Sequence, residues 1–314
     1  MSVTQIFCVL LLIVVGGMIA VAQPTAAAVS QTENIRSGGD RRAYYMVRPT
    51  RQVDASKRYP IVVLLHGGYG NGRSLAKQTT IEGDVTRDEF IAVLPNAVRN
   101  RWNDGRSVTS GGADDVKFVL DVVADVVARF NGDPDLVFLA GLSSGGMLTQ
   151  RIACERPRAF KAYAAVAANL PEDLYASCAP NRGVPFLFFN GTQDNIMPYN
   201  GGPIPRSRLL RGGGGNVLST NDTFSLWAGL AGCSGQRTVA LEDNADDGTS
   251  VTRVIAKACQ NEMRVELYRV DGGGHTWPGS SYKTGRLSRR LFGITSEDID
   301  ATRLIVGFFR SYGL

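Results

Sequence analysis

Short runs of Val, Ile, Leu and Phe alternate along the chain with longer stretches in which apolar residues recur every three or four positions. Runs of the first kind are typical of strands buried on both faces of a parallel sheet, and the longer stretches are typical of helices that cover it. Strands are predicted at 42–47, 61–65, 90–94, 136–140, 162–168, 185–190 and 265–270, with the first at the sheet edge. Helices are predicted at 114–130, 145–155, 223–230 and 298–312. The pattern therefore predicts an α/β protein, with a mostly parallel central sheet and helices on both faces.

The first 22 residues differ from the rest of the chain. Residues 6–22 are almost wholly apolar, carry no charged side chain and end in a small-residue Ala-Val-Ala sequence. This pattern predicts a signal peptide over 1–22 and hence a secreted protein, extracellular or periplasmic. A retained membrane anchor is the alternative, but two glycines interrupt the run, which is shorter than the roughly 18–20 residues that a span needs. We expect no stable membrane association after cleavage, and a flexible segment over 23–40.

Composition narrows the possible functions. The 314 residues are 44% hydrophobic and 20% charged, as in an ordinary globular protein with a sizeable core. The net charge is +5, and the basic residues are scattered rather than aligned on one face, so nucleic-acid binding is not expected. The chain has two distant histidines and no CxxC pair or HExxH helix, and its glycine-rich stretches do not match a nucleotide loop. Neither a metal nor an organic cofactor is therefore expected.

Four cysteines follow the predicted signal peptide, which itself contains Cys8: they are Cys154, Cys178, Cys233 and Cys259. An even number suits disulfides in an oxidising compartment. Proximity favours pairing the first with the second and the third with the fourth, because short loops are easiest to close. The two other pairings, and buried free thiols, are the alternatives.

Ser143 is the candidate nucleophile. It is the central residue of the Gly-Leu-Ser-Ser-Gly sequence at 141–145, which lies between a predicted strand and a predicted helix, the setting that the GxSxG motif of serine hydrolases requires. A side chain at Gly141 or Gly145 would crowd the neighbouring strand or helix at this sharp turn. Ser144 is the alternative, but it does not have glycine two positions away on each side. Its backbone N–H is expected to stabilise the oxyanion.

A serine hydroxyl needs an adjacent base, usually histidine. His66 directly follows the predicted strand 61–65 in a Leu-His-Gly-Gly loop, where serine hydrolases of this type place the second oxyanion N–H. We interpret His66 as a structural residue of that loop. His275, in a glycine-rich loop after the last predicted strand, is left as the general base.

The carboxylate that orients the base is assigned to Asp194, which lies in the loop after the predicted strand 185–190. The chain order Ser, Asp, His is the order of the α/β hydrolases. Asp243, Asp246 and Asp247 are the alternatives, but their acidic, glycine-flanked run is more typical of a hairpin tip in solvent.

Together these motifs resemble the secreted polyhydroxybutyrate depolymerases and the feruloyl and acetyl-xylan esterases of carbohydrate esterase family one, from about residue 42 onward. The shared sequences are Leu-Leu-His-Gly-Gly at 64–68, Arg-Trp-Asn-Asp-Gly at 101–105, Asp-Asp-Val at 114–116, Gly-Leu-Ser-Ser-Gly-Gly at 141–146, Asn-Gly-Thr-Gln-Asp at 190–194, Met-Pro-Tyr at 197–199, Trp227 before Cys233, and Gly-Gly-His-Thr-Trp-Pro-Gly at 273–279. The resemblance implies one α/β-hydrolase catalytic domain over 41–314, which cleaves carboxylic esters through an acyl-enzyme without a cofactor. The sequence departs from the group at Asn190, where many relatives carry histidine.

The resemblance also implies roles for individual residues. It assigns the catalytic triad to Ser143, Asp194 and His275; the oxyanion hole to Gly68 and Ser144, with Tyr69 as second choice for the first; and the substrate-binding mouth to Trp102, Asn103 and Trp277. Expected substrates are feruloyl or acetyl esters of polysaccharides, or small aryl esters. Oligomers of poly(3-hydroxybutyrate) and acyl transfer to an alcohol are the alternatives, and a binding protein without catalysis is disfavoured because all three triad residues are present.

Overall fold

The structure, a computed structural model, describes residues 27–49, 56–178, 182–206, 213–280 and 285–314. The signal peptide predicted over 1–22 lies outside the described residues. None of the helices in the described ranges has the length and apolar character needed to cross a bilayer.

Within these ranges the chain forms twelve strands and eight helices. The strands are β1 (Val29–Ser37), β2 (Asp40–Arg48), β3 (Tyr59–Leu65), β4 (Ile91–Pro95), β5 (Gly132–Leu142), β6 (Tyr163–Val166), β7 (Phe186–Gly191), β8 (Gly202–Pro203), β9 (Asn216–Val217), β10 (Gln236–Ala240), β11 (Ser250–Ala256) and β12 (Val265–Asp271). The helices are α1 (Gly72–Thr79), α2 (Ile81–Asp88), α3 (Asp115–Phe130), α4 (Ser144–Glu155), α5 (Glu172–Tyr175), α6 (Thr220–Leu230), α7 (Arg286–Phe292) and α8 (Ala301–Arg310).

Ten of the strands form one sheet in the order β1-β2-β4-β3-β5-β6-β7-β12-β11-β10. The six strands from β4 to β12 in this order are parallel, and antiparallel pairs extend the sheet at both ends. Because parallel strands all end at the same edge, the loops that follow β3, β5, β7 and β12 lie side by side. This confirms the predicted mostly parallel sheet.

The core lies on both faces of the sheet. Ile61, Val63 and Leu65 of β3 pack into one hydrophobic cluster with residues of α3, α4 and α6. Val62 and Leu64, which point the other way along the same strand, pack into a second cluster with residues of α1, α2 and α8. A run of consecutive apolar residues is therefore what a strand covered on both faces requires.

Helix α3 shows why the sequence predicted its helices well. The Asp114 side chain accepts from the Lys117 N–H and begins the helix, and Asn131, at a φ of 54°, ends it. The buried face carries Val119, Val122 and other apolar residues at helical spacing. Each such side chain, when fully buried, contributes about 2 kcal/mol to folding.

The prediction fails at the sheet edges. Residues 23–40 were expected to be flexible and strand 42–47 to form the edge, but β1 pairs with β2 through nine residue pairs and takes the edge position itself. Strand β10 at the opposite edge is exposed along its whole length. Edge strands with mostly polar side chains carry no hydrophobic run, so their pairing cannot be read from the pattern. Helices α1 and α2 were also missed, because each is eight residues long and mostly polar and so shows no clear helical repeat of apolar residues.

Two disulfides join segments on the α4 and α6 side of the sheet. One links Cys154 to Cys178 and the other links Cys233 to Cys259. This is the pairing that sequence proximity favours. The first ties the end of α4 to the segment after α5, and the second ties the end of α6 to the turn after β11.

Candidate active site

Ser143 lies at the tight turn between β5 and α4. Its backbone has φ 54° and ψ −120°, a conformation that non-glycine residues avoid at a cost of about 1–3 kcal/mol. The turn is held because the Ser143 N–H donates to the Val166 carbonyl at 2.8 Å and the Ser143 carbonyl accepts from the Met147 N–H at 2.9 Å. The strained turn projects the hydroxyl beyond the end of the sheet.

The glycines around Ser143 are required by the close approach of neighbouring backbone. A Cβ at Gly141 would overlap the Gly145 carbonyl group, and a Cβ at Gly145 would overlap the Leu65 carbonyl oxygen at the end of β3. These contacts are the crowding against strand and helix that the glycine pattern predicts.

His275 makes hydrogen bonds with both other members of the predicted triad. Its Nε2 lies 2.8 Å from the Ser143 Oγ and its Nδ1 lies 2.7 Å from the Asp194 Oδ2. The carboxylate can only accept, so Nδ1 carries the proton and Nε2 is left to accept from the serine hydroxyl. The His275 and Asp194 side chains are 9% and 2% exposed. The arrangement can therefore move a proton from the hydroxyl to the imidazole with little competition from water.

The loop after β7 fixes the Asp194 carboxylate. Its Oδ1 accepts from the N–H groups of Ile196 and Met197 at 2.8 and 2.7 Å, which leaves Oδ2 directed at His275. The three competing aspartates lie in the connection between β10 and β11, where Asp247 accepts from the N–H groups of Thr249 and Glu297. Among the described residues, the carboxylate that hydrogen-bonds to His275 is that of Asp194.

The loop after β12 holds His275 through a neighbouring segment. The N–H of His275 donates to the Phe292 carbonyl, and the N–H of Gly274 donates to the Ile294 carbonyl at 2.9 Å. A Cβ at Gly274 would overlap the Phe292 oxygen. The end of α7 and the residues after it thus hold the backbone of the base in place.

His66 is buried and acts as a structural centre for the loop after β3. Its Nδ1–H donates to the Gly67 carbonyl at 2.7 Å, and its Nε2 accepts from the Ala97 N–H at 3.1 Å. The ring packs against Trp102, with 4.8 Å between centroids. Burial lowers the pKa of His66 to about 4, because a charged ring would lose its hydration there.

Two backbone N–H groups close to Ser143 make no hydrogen bond to the described residues. Ser144 is the first residue of α4, so its N–H has no partner within the helix. The Gly68 N–H hydrogen-bonds to none of the described residues, and a Cβ on Gly68 would lie 3.8 Å from the Ser144 hydroxyl. The N–H of Tyr69, the second choice, already donates to the Asn100 carbonyl at 3.1 Å. The geometry therefore favours Gly68 over Tyr69 as the partner of Ser144.

A cavity of about 980 Å³ opens over Ser143 and His275. Tyr69, whose side chain is 41% exposed, lies on its wall. This ring was not predicted as an aromatic contact, although Tyr69 directly follows the His-Gly-Gly motif. An exposed aromatic face next to the cavity can pack against an apolar part of a substrate.

The three residues expected at the mouth line the same cavity, but the two indole rings are not open to it. Trp102 and Trp277 are each 1% exposed, and their Nε1–H groups donate to the His66 carbonyl and to the Thr302 hydroxyl. Both tryptophans therefore lie in the cavity wall, but their size and their polar edge are used in packing the loops, and their assignment to substrate binding stays a prediction. Asn103 is half-buried, and its backbone N–H donates to the Asp115 carboxylate at 2.7 Å.

A buried ion pair in the cavity wall had no predicted role. Arg106 donates two hydrogen bonds to the carboxylate of Asp104, and a third to the Gly214 carbonyl at 2.7 Å. Both side chains are at most 3% exposed. A bidentate pair of this kind has fixed geometry, so it holds the glycine-rich segment at 213–215 against the cavity. The sequence signal was the closeness of Asp104, in the motif at 101–105, to Arg106, which directly follows that motif.

Among the residues that the structure describes, no three His, Cys, Asp or Glu side chains are grouped so that they could hold a metal ion.

Comparison with known proteins gives three findings. Residues 43–171 match the family model described as esterase PHB depolymerase. NocK of Nocardia uniformis subsp. tsuyamanensis, a protein named as an esterase, is 27% identical over 267 residues, which are 83% of this chain and 77% of NocK. Feruloyl esterase B of Piromyces equi is 27% identical over 227 residues, which are 70% of this chain but 40% of that protein.

Among solved structures, the acetyl xylan esterase from Aspergillus awamori superposes with a TM-score of 0.53 at 16% identity, over 84% of this chain and 99% of that one. At this identity the similarity bears on fold alone. It confirms the predicted α/β-hydrolase fold, and the sequence matches confirm the resemblance and the esterase class.

Proposed function

We propose that the protein is a secreted serine carboxylic-ester hydrolase that forms an acyl-enzyme on Ser143. The observation that carries this proposal is His275, whose two ring nitrogens lie 2.8 Å from the Ser143 hydroxyl and 2.7 Å from the Asp194 carboxylate. A hydroxyl, an imidazole and a carboxylate in this order form the arrangement that serine hydrolases of unrelated folds share.

In the first half of the reaction, the Ser143 oxygen bonds to the ester carbonyl carbon as its proton moves to Nε2 of His275. The Asp194 carboxylate stabilises the imidazolium. The carbonyl oxygen, now an anion, accepts from the N–H groups of Gly68 and Ser144. When the intermediate collapses, the bond to the alcohol oxygen breaks and the alcohol takes the proton from His275. This leaves the acyl group on Ser143.

In the second half, a water molecule takes the place of the alcohol. His275 removes a proton from the water as its oxygen bonds to the acyl carbon, and the same N–H groups stabilise the second oxyanion. Collapse returns the proton to the Ser143 oxygen and releases the carboxylic acid. The cycle requires no metal or organic cofactor.

The proposed substrates are feruloyl or acetyl esters attached to polysaccharides, or small aryl esters. A cavity of about 980 Å³ has room for an aryl acyl group together with a sugar, and the Tyr69 ring on its wall offers an apolar face. The relatives named as feruloyl and acetyl xylan esterases support this class. Hydroxybutyrate oligomers are the second candidate, because the matched family model is described as a depolymerase of that polyester.

Secretion is supported by the two disulfides, which persist in oxidising compartments. Protein collected from the medium or periplasm of an expressing host is expected to begin at residue 23, as read by N-terminal sequencing. A mature protein that keeps residues 6–22 would contradict cleavage.

The test of the mechanism is Ser143→Ala, assayed with a chromogenic short-chain ester. The wild type should release a burst of alcohol equal to the enzyme concentration, and the variant should show no burst, with kcat lower by a factor on the order of 10⁶. The matched control is Ser234→Ala, at an exposed serine beside β10. Full turnover in Ser143→Ala would refute the assignment.

The substrate class is tested by comparing kcat/KM for methyl ferulate, acetylated xylan and hydroxybutyrate oligomers. Preference for the first two supports the proposal, and preference for the third supports the polyester alternative. Adding a sugar alcohol to each reaction tests transfer, since faster formation of new ester than of free acid would show an acyltransferase.

A further inference from the structure

Three buried polar side chains meet at the carboxyl end of β6, between the strands that carry Ser143 and Asp194. Asn169 is 0% exposed, Thr220 is 2% and Asn190 is 4% exposed. The Oδ1 of Asn169 accepts from the Nδ2 of Asn190 at 3.0 Å and from the Thr220 hydroxyl at 2.9 Å. Two donors converge on one amide oxygen, which fixes the orientation of the Asn169 amide.

This orientation directs the Asn169 Nδ2 at the Pro198 carbonyl, to which it donates at 2.9 Å. Pro198 closes the same short loop that carries Asp194. Within that loop, the Asp194 Oδ1 already accepts from the N–H groups of the two residues immediately before Pro198. A displacement of Pro198 would therefore displace the carboxylate with it.

On the other side of Asp194, the loop is hydrogen-bonded to the segment that carries His275. The N–H of Gln193 donates to the Gly273 carbonyl at 2.9 Å. Asn169 supplies the tie on the opposite side, to β6, whose last residue Val166 accepts from the Ser143 N–H. The loop is thus held between the His275 segment and the Ser143 segment.

We propose that Asn169 is a positioning residue that acts through Asp194, with Asn190 and Thr220 setting the direction of its amide. The inference rests on the proposed function. The Pro198 carbonyl also accepts from the Gly201 N–H at 3.0 Å, within its own loop, so Asn169 is the partner that ties this carbonyl to β6. Loss of that tie lets the loop relax, and the 2.7 Å contact between Asp194 and His275 lengthens. Asn169 is fully buried and does not line the cavity, so its side chain makes no contact with substrate and the main effect of its loss is expected on kcat.

The experiment is a double-mutant cycle between position 169 and position 194. Asn169→Ala should lower kcat by about tenfold to a hundredfold with KM within about twofold, the size of effect expected from a misplaced catalytic group. In an Asp194→Ala background the same substitution should change kcat less than about twofold, since the group it positions is gone. Asn169→Asp, which keeps the shape but has no N–H for Pro198, should match Asn169→Ala.

The control is Thr79→Val, which removes a buried hydroxyl whose hydrogen bonds to the described residues go to carbonyls of its own helix α1. It should lower stability without this kinetic pattern. If Asn169→Ala does not fold, Asn190→Ala and Thr220→Val each remove one donor to Asn169. Their smaller losses in kcat should vanish without Asp194.

An equal loss of kcat in both backgrounds, or no loss in either, overturns the inference. Failure of the proposed function has a different signature, which is turnover retained by Ser143→Ala. If Ser143→Ala is inactive while the effects at positions 169 and 194 multiply independently, the esterase mechanism stands and the positioning role of Asn169 falls.

Discussion

The buried ring of His66 predicts a specific loss of stability in acid. In the folded protein burial lowers the pKa of His66 to about 4, whereas an exposed histidine in the unfolded chain has the ordinary value of 6.5. Between these two values the unfolded chain binds a proton that the folded protein does not. Acid therefore favours unfolding, and the contribution present above pH 6.5 is lost as the pH falls through 4.

The magnitude follows from the two pKa values. The loss amounts to about 2 kcal/mol by pH 5 and about 3 kcal/mol by pH 4, on the scale of about 1.4 kcal/mol for each pKa unit. Water screens this effect little, because His66 is 1% exposed. The hydrogen bonds give the structural reason: Nε2 must stay unprotonated to accept from the Ala97 N–H.

The assay is urea denaturation of the wild type and of His66→Gln between pH 7.5 and 4. Glutamine does not titrate, and its amide oxygen can accept from the Ala97 N–H. Carboxyl groups that titrate in the same range are present in both proteins, so their contribution cancels in the difference. The unfolding free energy of the wild type minus that of His66→Gln should decrease by about 2 kcal/mol from pH 7.5 to pH 5. Parallel curves for the two proteins would refute the reasoning.

Two further predictions concern backbone packing and cross-linking. Gly145→Ala should lower the unfolding free energy by about 3 kcal/mol or more, because the new Cβ would overlap the Leu65 carbonyl. Gly307→Ala is the control, because the space beside Gly307 is open and alanine should not destabilise α8. Equal denaturation midpoints for the two variants would contradict this. Replacing both Cys154 and Cys178 by Ala should lower the unfolding free energy by about 3 kcal/mol, since it frees a loop with a sequence separation of 24. An unchanged urea midpoint would show that the disulfide does not limit the unfolded chain.

The sequence predicted the parts of the fold whose local pattern reports burial on both sides. Strands β3, β5 and β7 are runs of apolar residues because helices cover both faces of each, and this requirement is visible in the residues themselves. The turn at Ser143 was visible as well, since glycine is the residue type that lets neighbouring backbone approach so closely. Edge strand β1 was missed, because backbone pairing with β2 holds it rather than a hydrophobic face.

The sequence also limited the candidate base to His275, since the only other histidine lies at the end of β3. What only the tertiary structure decided is which groups meet. Strand order brings Ser143 and His275 together across a sequence separation of 132. The packing of the loops also buries Trp102 and Trp277, and it places the N–H of Tyr69 where it donates to the Asn100 carbonyl. Local pattern records burial and backbone conformation, whereas a contact between distant residues depends on how several strands and loops pack at once.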